Sequence, residues 1–232
     1  MNSIENITEG QVLLIDKPLH WTSFQVVNKM RFAIKKRFKL KKIKVGHAGT
    51  LDPLATGLLI ICTGKFTKKI DEYQGLFKEY TGTIKLGNTT PSYDLETDFD
   101  QHFDYAHVTN QLIKETVQQF IGEINQVPPI FSAIQKDGKR AYNLARKGQE
   151  MEMESRKVTV HEFEITRIEL PKIEFRIQCS KGTYIRSIAH DFGKAMQTGS
   201  HLAALKRTKI GEFSVENTLS LEDFLQQIND DN

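Results

Sequence analysis

One carboxylate, Asp52, stands in the segment Gly46-His47-Ala48-Gly49-Thr50-Leu51-Asp52-Pro53-Leu54-Ala55-Thr56-Gly57, between an apolar stretch ending at Val45 and the run Leu58-Leu59-Ile60-Ile61-Cys62. Asp-Pro starts turns, and Gly46, Gly49 and Gly57 allow backbone shapes closed to other residues. Short apolar strands on both sides fix such a turn, and a carboxylate held that way can act as a nucleophile or a base. From the pattern alone Asp52 also suits a plain turn cap, bonding a backbone N–H two residues on. No second acid accompanies it in the segment, which argues against a glycosidase, where two carboxylates must flank the bond.

Four further segments stand in order along the chain. They are Leu13-Leu14-Ile15-Asp16-Lys17-Pro18, Lys78-Glu79-Tyr80, Pro128-Pro129 and Gly182-Thr183-Tyr184-Ile185-Arg186-Ser187-Ile188-Ala189-His190-Asp191. Together with Gly-His-x-Gly-Thr-Leu-Asp-Pro at 46–53 they resemble the TruB family, the bacterial tRNA pseudouridine-55 synthases. Leu205-Lys206-Arg207-Thr208 keeps a basic pair where that family usually has two arginines.

The resemblance implies roles. Asp52 is then the essential nucleophile. To stay ionised while enclosed, it needs an opposite charge, and Arg186 in the Tyr-Ile-Arg-Ser position is the candidate ion-pair partner. Tyr80 stacks on the target base and serves as general base. His47 helps to extrude the target nucleotide, since a uridine inside a folded loop is unreachable until flipped out. Tyr184 and Leu205 wall the uracil pocket, and Lys17 sits at its periphery. His190 matches the family motif, but its position suits a backbone bond at the helix surface. The family acts without metal or cofactor, and no Cys/His grouping in the chain has metal-ligand spacing.

The elements that must position these residues follow from periodicity. Gln11 to Ile15 reads as a strand, and Thr22 or Ser23 caps a helix whose apolar stripe carries Val26, Val27, Met30, Phe32, Ala33 and Ile34. Strand, turn and strand follow around Asp52. Phe77 to Leu86 predicts a strand, Val108 to Ile121 a helix, and Lys157 to Leu170 with Lys172 to Ser180 two strands closed around Pro171. Helices are expected at about Tyr184 to Met196 and Leu221 to Ile228. Strands outnumber the crossover helices that a parallel sheet needs, so the class is α+β, a mainly antiparallel mixed sheet with flanking helices. The pseudouridine synthase fold implied by the resemblance agrees.

Charge is unevenly spread. The net charge of +3 in 232 residues is a weak hint of a polyanionic partner. No acidic residue lies between Asp16 and Asp52, whereas Lys29, Arg31, Lys35, Lys36, Arg37, Lys39, Lys41, Lys42 and Lys44 crowd that stretch. Acidic partners at i+4 that would quiet a solvated helix face are missing, so phosphate contact is the better reading of Lys35, Lys36, Lys39, Lys41 and Lys42. The irregular stretch 126–153, with Lys136, Lys139, Arg140, Arg146 and Lys147, reads as an inserted RNA-gripping element.

Cys62 and Cys179 lie far apart in apolar runs and read as buried thiols of a reducing cytoplasm. No run approaches the roughly 20 apolar residues of a membrane span. We therefore expect a cytoplasmic enzyme of one catalytic domain, 1–232, that isomerises the uridine at position 55 in the T loop of tRNA. Relatives usually continue into a small PUA-type domain. The chain stops just after its last helix, so no such domain, guide RNA or obligatory protein partner is expected, the T arm is the partner, and the basic stretch compensates. The alternative is a tRNA-binding and folding module without catalysis.

Overall fold

The computed structural model describes residues 6–132, 134–136, 139–141, 144, 151 and 153–230. They form two compact units, one from residues 1–80 with 206–232 and one from residues 81–205. The class is α+β, with mostly antiparallel pairing among the registered strands.

The first unit opens with β1 (Val12–Lys17), α1 (Ser23–Arg37), β2 (Val45–His47) and β3 (Ala55–Thr63). A 3-10 segment (Gly64–Lys69) and a short helix, α2 (Ile70–Gly75), follow. The strand order is β14-β1-β3-β12, where β12 is Ser200–Ile210 and β14 is Leu219–Ser220; β2 also pairs with β3, and β13 (Phe213–Ser214) with β12. β1 runs antiparallel to β3, Ile15 opposite Leu59, and parallel to β14. β3 is buried on both faces from residue 57 onward, which is why residues 58–62 form an unbroken apolar run. Leu59 and Ile61 pack with Val26, Val27, Met30 and Ile34 of α1 and with Phe224 and Ile228 of the last helix, α5 (Leu221–Asp230). Leu58, Ile60 and Cys62 point the other way, beneath Phe66, Ile70 and Tyr73.

In the second unit the order is β12-β4-β11-β10-β7, with β4 at Lys78–Leu86, β7 at Gly122–Gln126, β10 at Arg156–Glu169 and β11 at Lys172–Cys179. Two helices, α3 (Asn110–Gln118) and α4 (Ile185–Ala195), belong to this unit. Its core holds an aromatic cluster in which Phe163 lies 5.6 Å from Phe192, 6.1 Å from Phe175 and 6.4 Å from Phe120, ring centre to ring centre. Two-stranded ribbons join β5 (Asn88–Thr89) to β6 (Gln101–His102), and β8 (Gln135–Lys136) to β9 (Lys139–Arg140).

Several expectations need correction. Phe32 is 67% exposed, because the stripe of α1 that faces the core runs through Val26, Val27, Met30 and Ile34, and position 32 falls on the opposite side. The helix expected to reach Ile121 ends at Gln118; Gly122, at φ +95°, then turns the chain into β7. The long strand β12 was not anticipated, because its burial does not alternate: residues 200–202 are all buried, and the exposed Ala204, Lys206 and Lys209 do not keep a two-residue period. Thr22, not Ser23, is the cap of α1: its hydroxyl accepts from Gln25 N while the Gln25 side chain accepts from Thr22 N, a reciprocal capping box. Ser23 is thereby free for another task. Of the 126–153 stretch, Lys136 lies in β8 and Arg140 in β9, while Arg146 lies outside the described residues.

Candidate active site

Asp52 lies half-buried in the loop between β2 and β3, and nearly every backbone carbonyl around it is held by a donor from elsewhere in the first unit. The Ser23 hydroxyl donates to Leu51 O (3.1 Å) and accepts from Leu51 N (2.9 Å). Lys17 Nζ donates to Pro18 O (2.8 Å), Trp21 O (2.6 Å) and, at the limit of a bond, Pro53 O (3.5 Å). His20 N donates to Pro53 O (2.8 Å). Arg207 donates from Nε to Leu58 O (2.8 Å) and from its two terminal nitrogens to Thr50 O (3.4 Å) and Gly49 O (3.1 Å). On the rising side, Gly57 N donates to the Asp16 carboxylate (3.0 Å). Gly57 sits at φ +102°, and a Cβ there would run into the backbone of Arg207, so glycine is required on both counts. The loop is rigid by construction.

The buried Lys17 ammonium feels the charge of this carboxylate, and the buried Arg207 guanidinium holds the loop backbone on either side of it. Lys17 has no exposed surface, and its pKa is lowered from 10.5 to about 8, first by burial and then by the charge of Arg207, with the carboxylates of Asp52 and Asp16 pulling it back up. His47, at the end of β2, is pushed below the ordinary histidine value by burial and by Arg207, against a weaker opposite pull from the backbone at Gly49. Its ring is therefore neutral at neutral pH. Tyr80 is 9% exposed in β4.

The second unit contains Arg186, Tyr184 and Leu205. Arg186 is 3% exposed in α4, so it is no surface arginine. One terminal nitrogen donates to Ser92 O (3.1 Å), the other to Phe131 O (2.9 Å), and Nε lies 3.7 Å from the Asp94 carboxylate. Asp94 is itself 4% exposed and accepts from Glu96 N (2.9 Å). Tyr184 caps α4. The buried Gln126 amide both accepts from its N–H (2.8 Å) and donates to its carbonyl (3.0 Å), and the Arg156 guanidinium lies 4.7 Å over its ring. Leu205 is half-buried in β12. His190 does not make the surface backbone bond expected of it: its ring stacks on Tyr93 at 3.9 Å, and Nδ1 has no hydrogen-bond partner. A cavity of about 610 Å³ in this unit is lined by Tyr93, His190, Lys194 and Thr198 among others, and by none of the expected site residues.

Along the basic stretch, Lys36, Lys39, Lys41 and Lys42 are exposed and Lys35 is half-buried. Lys35 and Lys36 close the last turn of α1, where positive charge also suits the helix dipole. Arg31 is occupied structurally, donating to Asn28 Oδ1 and Val45 O (both 2.8 Å). Both cysteines are buried and neither is in a disulfide, and burial pushes the Cys62 thiol up to about 11. Among the described residues no group of three or more His, Cys, Asp or Glu side chains could hold a metal, and no helix is long and apolar enough to cross a membrane.

Sequence reasoning missed Arg207, Ser23 and Asp94. Arg207 sits in a basic run that looks solvated, and Asp94 in the alternating acids Asp94, Glu96, Asp98 and Asp100, which read as an exposed loop. The sequence signal for Arg207 was the basic pair in Leu205-Lys206-Arg207-Thr208, but its burial against the carbonyls of residues 49, 50 and 58 appears only in the fold.

Residues 35–185 match the TruB family pseudouridylate synthase N-terminal domain, and residues 186–232 match the tRNA pseudouridylate synthase B C-terminal domain. The chain is 64% identical to the tRNA pseudouridine synthase B of Flavobacterium johnsoniae, covering 97% of this chain and 98% of that one. It is 54% identical to the protein of the same name from Phocaeicola vulgatus, covering 94% and 93%. Among solved structures, a chain in a Cbf5-Nop10-Gar1 complex is similar, with a TM-score of 0.70 and 30% identity over 96% of this chain; this chain spans 55% of that one. The chain belongs to the TruB family of pseudouridylate synthases.

Proposed function

We propose that this protein converts uridine to pseudouridine in tRNA, at position 55 of the T loop, with Asp52 as the nucleophile. The observation that carries the reading is the Asp52 loop, in which the neighbouring backbone is bound by the buried donors Ser23, Lys17 and Arg207 and the carboxylate interacts with the charge of Lys17. The N1–C1′ bond breaks, the uracil turns, and C5 bonds to C1′. The C5 proton leaves and N1 gains one, so atoms and electrons balance without water or redox chemistry. Such a reaction needs an anion at the sugar edge, a proton-moving group and a closed pocket that keeps the free base.

Asp52 is proposed to supply the anion, with the buried Lys17 close enough for the two charges to interact. Tyr80 is proposed to stack on the base and take the proton, and Arg186 is proposed as the third catalytic residue. A neutral His47 ring suits stacking in the space that a flipped nucleotide leaves, offsetting part of an unstacking cost of a few kcal/mol. Tyr184 and Leu205 are proposed to contact the uracil, and Lys17 to serve at the periphery of the site. Lys35, Lys36, Lys39, Lys41 and Lys42 are proposed to contact phosphates, with the 126–153 stretch as a second grip.

The protein is proposed to read its tRNA in the cytoplasm directly, without guide RNA or an obligatory protein partner. Relatives of nearly the same length that are named tRNA pseudouridine synthase B support this. The test is the purified protein with an unmodified tRNA transcript and nothing else, with pseudouridine mapped by carbodiimide. Product at position 55 is expected. Product elsewhere, or only after a guide RNA is added, would refute the assignment.

A further inference from the structure

Arg207 is 1% exposed, and its hydrogen bonds run to backbone carbonyls of the Asp52 loop. A buried guanidinium is costly unless its donors are satisfied. Here Gly49 O and Thr50 O lie on the arm that enters the loop and Leu58 O on the arm that leaves it, so one side chain ties both arms together. The spacing explains the residue type. A guanidinium carries five donors in a fixed planar fork and can span carbonyls at 49, 50 and 58, whereas an ammonium is a single point. The neighbourhood is also specific: Gly49 at φ +98° and Gly57 at φ +102° are the positions at which the loop bends around this side chain, and a Cβ on Gly49 would lie 3.5 Å from the guanidinium.

From this geometry we infer that Arg207 is a positioning residue for catalysis, a clamp that fixes the two arms of the loop and so the aim of the Asp52 carboxylate. The inference rests on the reading of Asp52 as the reacting group. Its charge acts in the same direction, adding positive potential on the inner side of the loop, which accords with the lowered pKa of its neighbours Lys17 and His47. A misplacement of about 1 Å at a reacting group costs about 10²-fold in rate, so loss of the clamp should show mainly in the chemical step.

The experiment compares wild type, Arg207→Lys and Arg207→Gln on an unmodified T-arm RNA. Single-turnover rate, RNA Kd, thermal unfolding and amide hydrogen exchange over residues 48–57 are measured for each. We expect both variants to unfold cooperatively and to bind RNA within about threefold of wild type, while the rate falls about 10²-fold. Exchange should quicken in residues 48–57 and not across the rest of the first unit, and Arg207→Lys should keep more activity than Arg207→Gln because it retains the charge and a donating nitrogen, though not the fork that reaches both arms. A rate within about threefold of wild type in a folded variant would overturn the clamp. So would loss of cooperative unfolding in both variants, or exchange that quickens throughout the unit, since Arg207 would then only hold the fold together. If wild type itself makes no pseudouridine, the functional assignment fails separately, and unchanged exchange at 48–57 in the variants would still refute the clamp.

Discussion

Removing one hydroxyl, that of Ser23, should cost more than its size suggests. Ser23 is 2% exposed and Leu51 is 3% exposed, and the Ser23 Oγ both donates to Leu51 O and accepts from Leu51 N. In Ser23→Ala a buried N–H and a buried C=O lose their partner together. Each orphaned group costs about 1–3 kcal/mol, and partial relaxation puts the total at about 2–4 kcal/mol. For a chain of this length that corresponds to a fall in Tm of about 4–16 °C. Thr22→Ala, one residue earlier, is the control: it removes a solvent-accessible cap worth about 1 kcal/mol and touches nothing in the loop. Because Leu51 precedes Asp52, Ser23→Ala should also lower the single-turnover rate about tenfold or more, while Thr22→Ala leaves it unchanged. Urea unfolding and a tritium-release assay read the two effects. If Ser23→Ala costs no more stability than Thr22→Ala and reacts at the wild-type rate, the loop is not held as described.

Three other outcomes are expected. Arg186→Lys should keep the charge but lose the paired bonds to Ser92 O and Phe131 O, so activity should fall about 10²-fold or more in a folded protein, read as kcat/KM on tRNA; full activity would contradict the role given to the guanidinium. Replacing Lys36, Lys39, Lys41 or Lys42 singly by Gln should flatten the slope of log affinity against log salt by about 0.7 to 0.9 for each phosphate contact removed, without changing the rate on bound RNA; an untouched slope would move the contact surface elsewhere. Lys17, with its pKa near 8 against 10.5 for an ordinary lysine, holds its proton less well folded than unfolded, so stability from this group is gained as pH rises from 8 to 10.5 and lost as it falls back. The stability advantage of wild type over Lys17→Met should therefore widen across that window in denaturant titrations, and a gap that stays constant with pH would refute the depressed pKa.

Much of the first unit was legible because its signals are local. The cap at Thr22 or Ser23, the apolar run at 58–62 in β3 and the glycine-bounded Asp52-Pro53 turn each depend on residues close in sequence, and each leaves a periodic or compositional trace. What the sequence hid was long-range. Ser23 meets Leu51 across 28 positions and Arg207 meets Gly49 across 158, and nothing in a serine after a helix cap or an arginine in a basic run distinguishes a buried donor from a solvated one. Arg186 illustrates the same limit: its stripe position on α4 suggests a surface residue, yet the backbone turns at Ser92 and Phe131 enclose it. The helix α3 was overextended because Phe120 and Ile121 continue its apolar period, while Gly122, which starts β7, carries no weight in a periodicity argument. Lys17 shows the reverse, a charged residue in a strand-ending motif whose burial follows only from the carbonyls that surround it.

The central claim is that a fixed Asp52 carboxylate performs the isomerisation, and Asp52→Asn tests it most directly. The amide keeps the size and most of the hydrogen-bonding shape but cannot carry the charge. With wild type and variant on the same T-arm RNA, single-turnover pseudouridine formation at position 55 and RNA affinity are measured side by side. The account predicts no detectable product from the variant and a Kd within about threefold of wild type. Turnover within about tenfold of wild type, a barrier change of only about 1.4 kcal/mol, would contradict it.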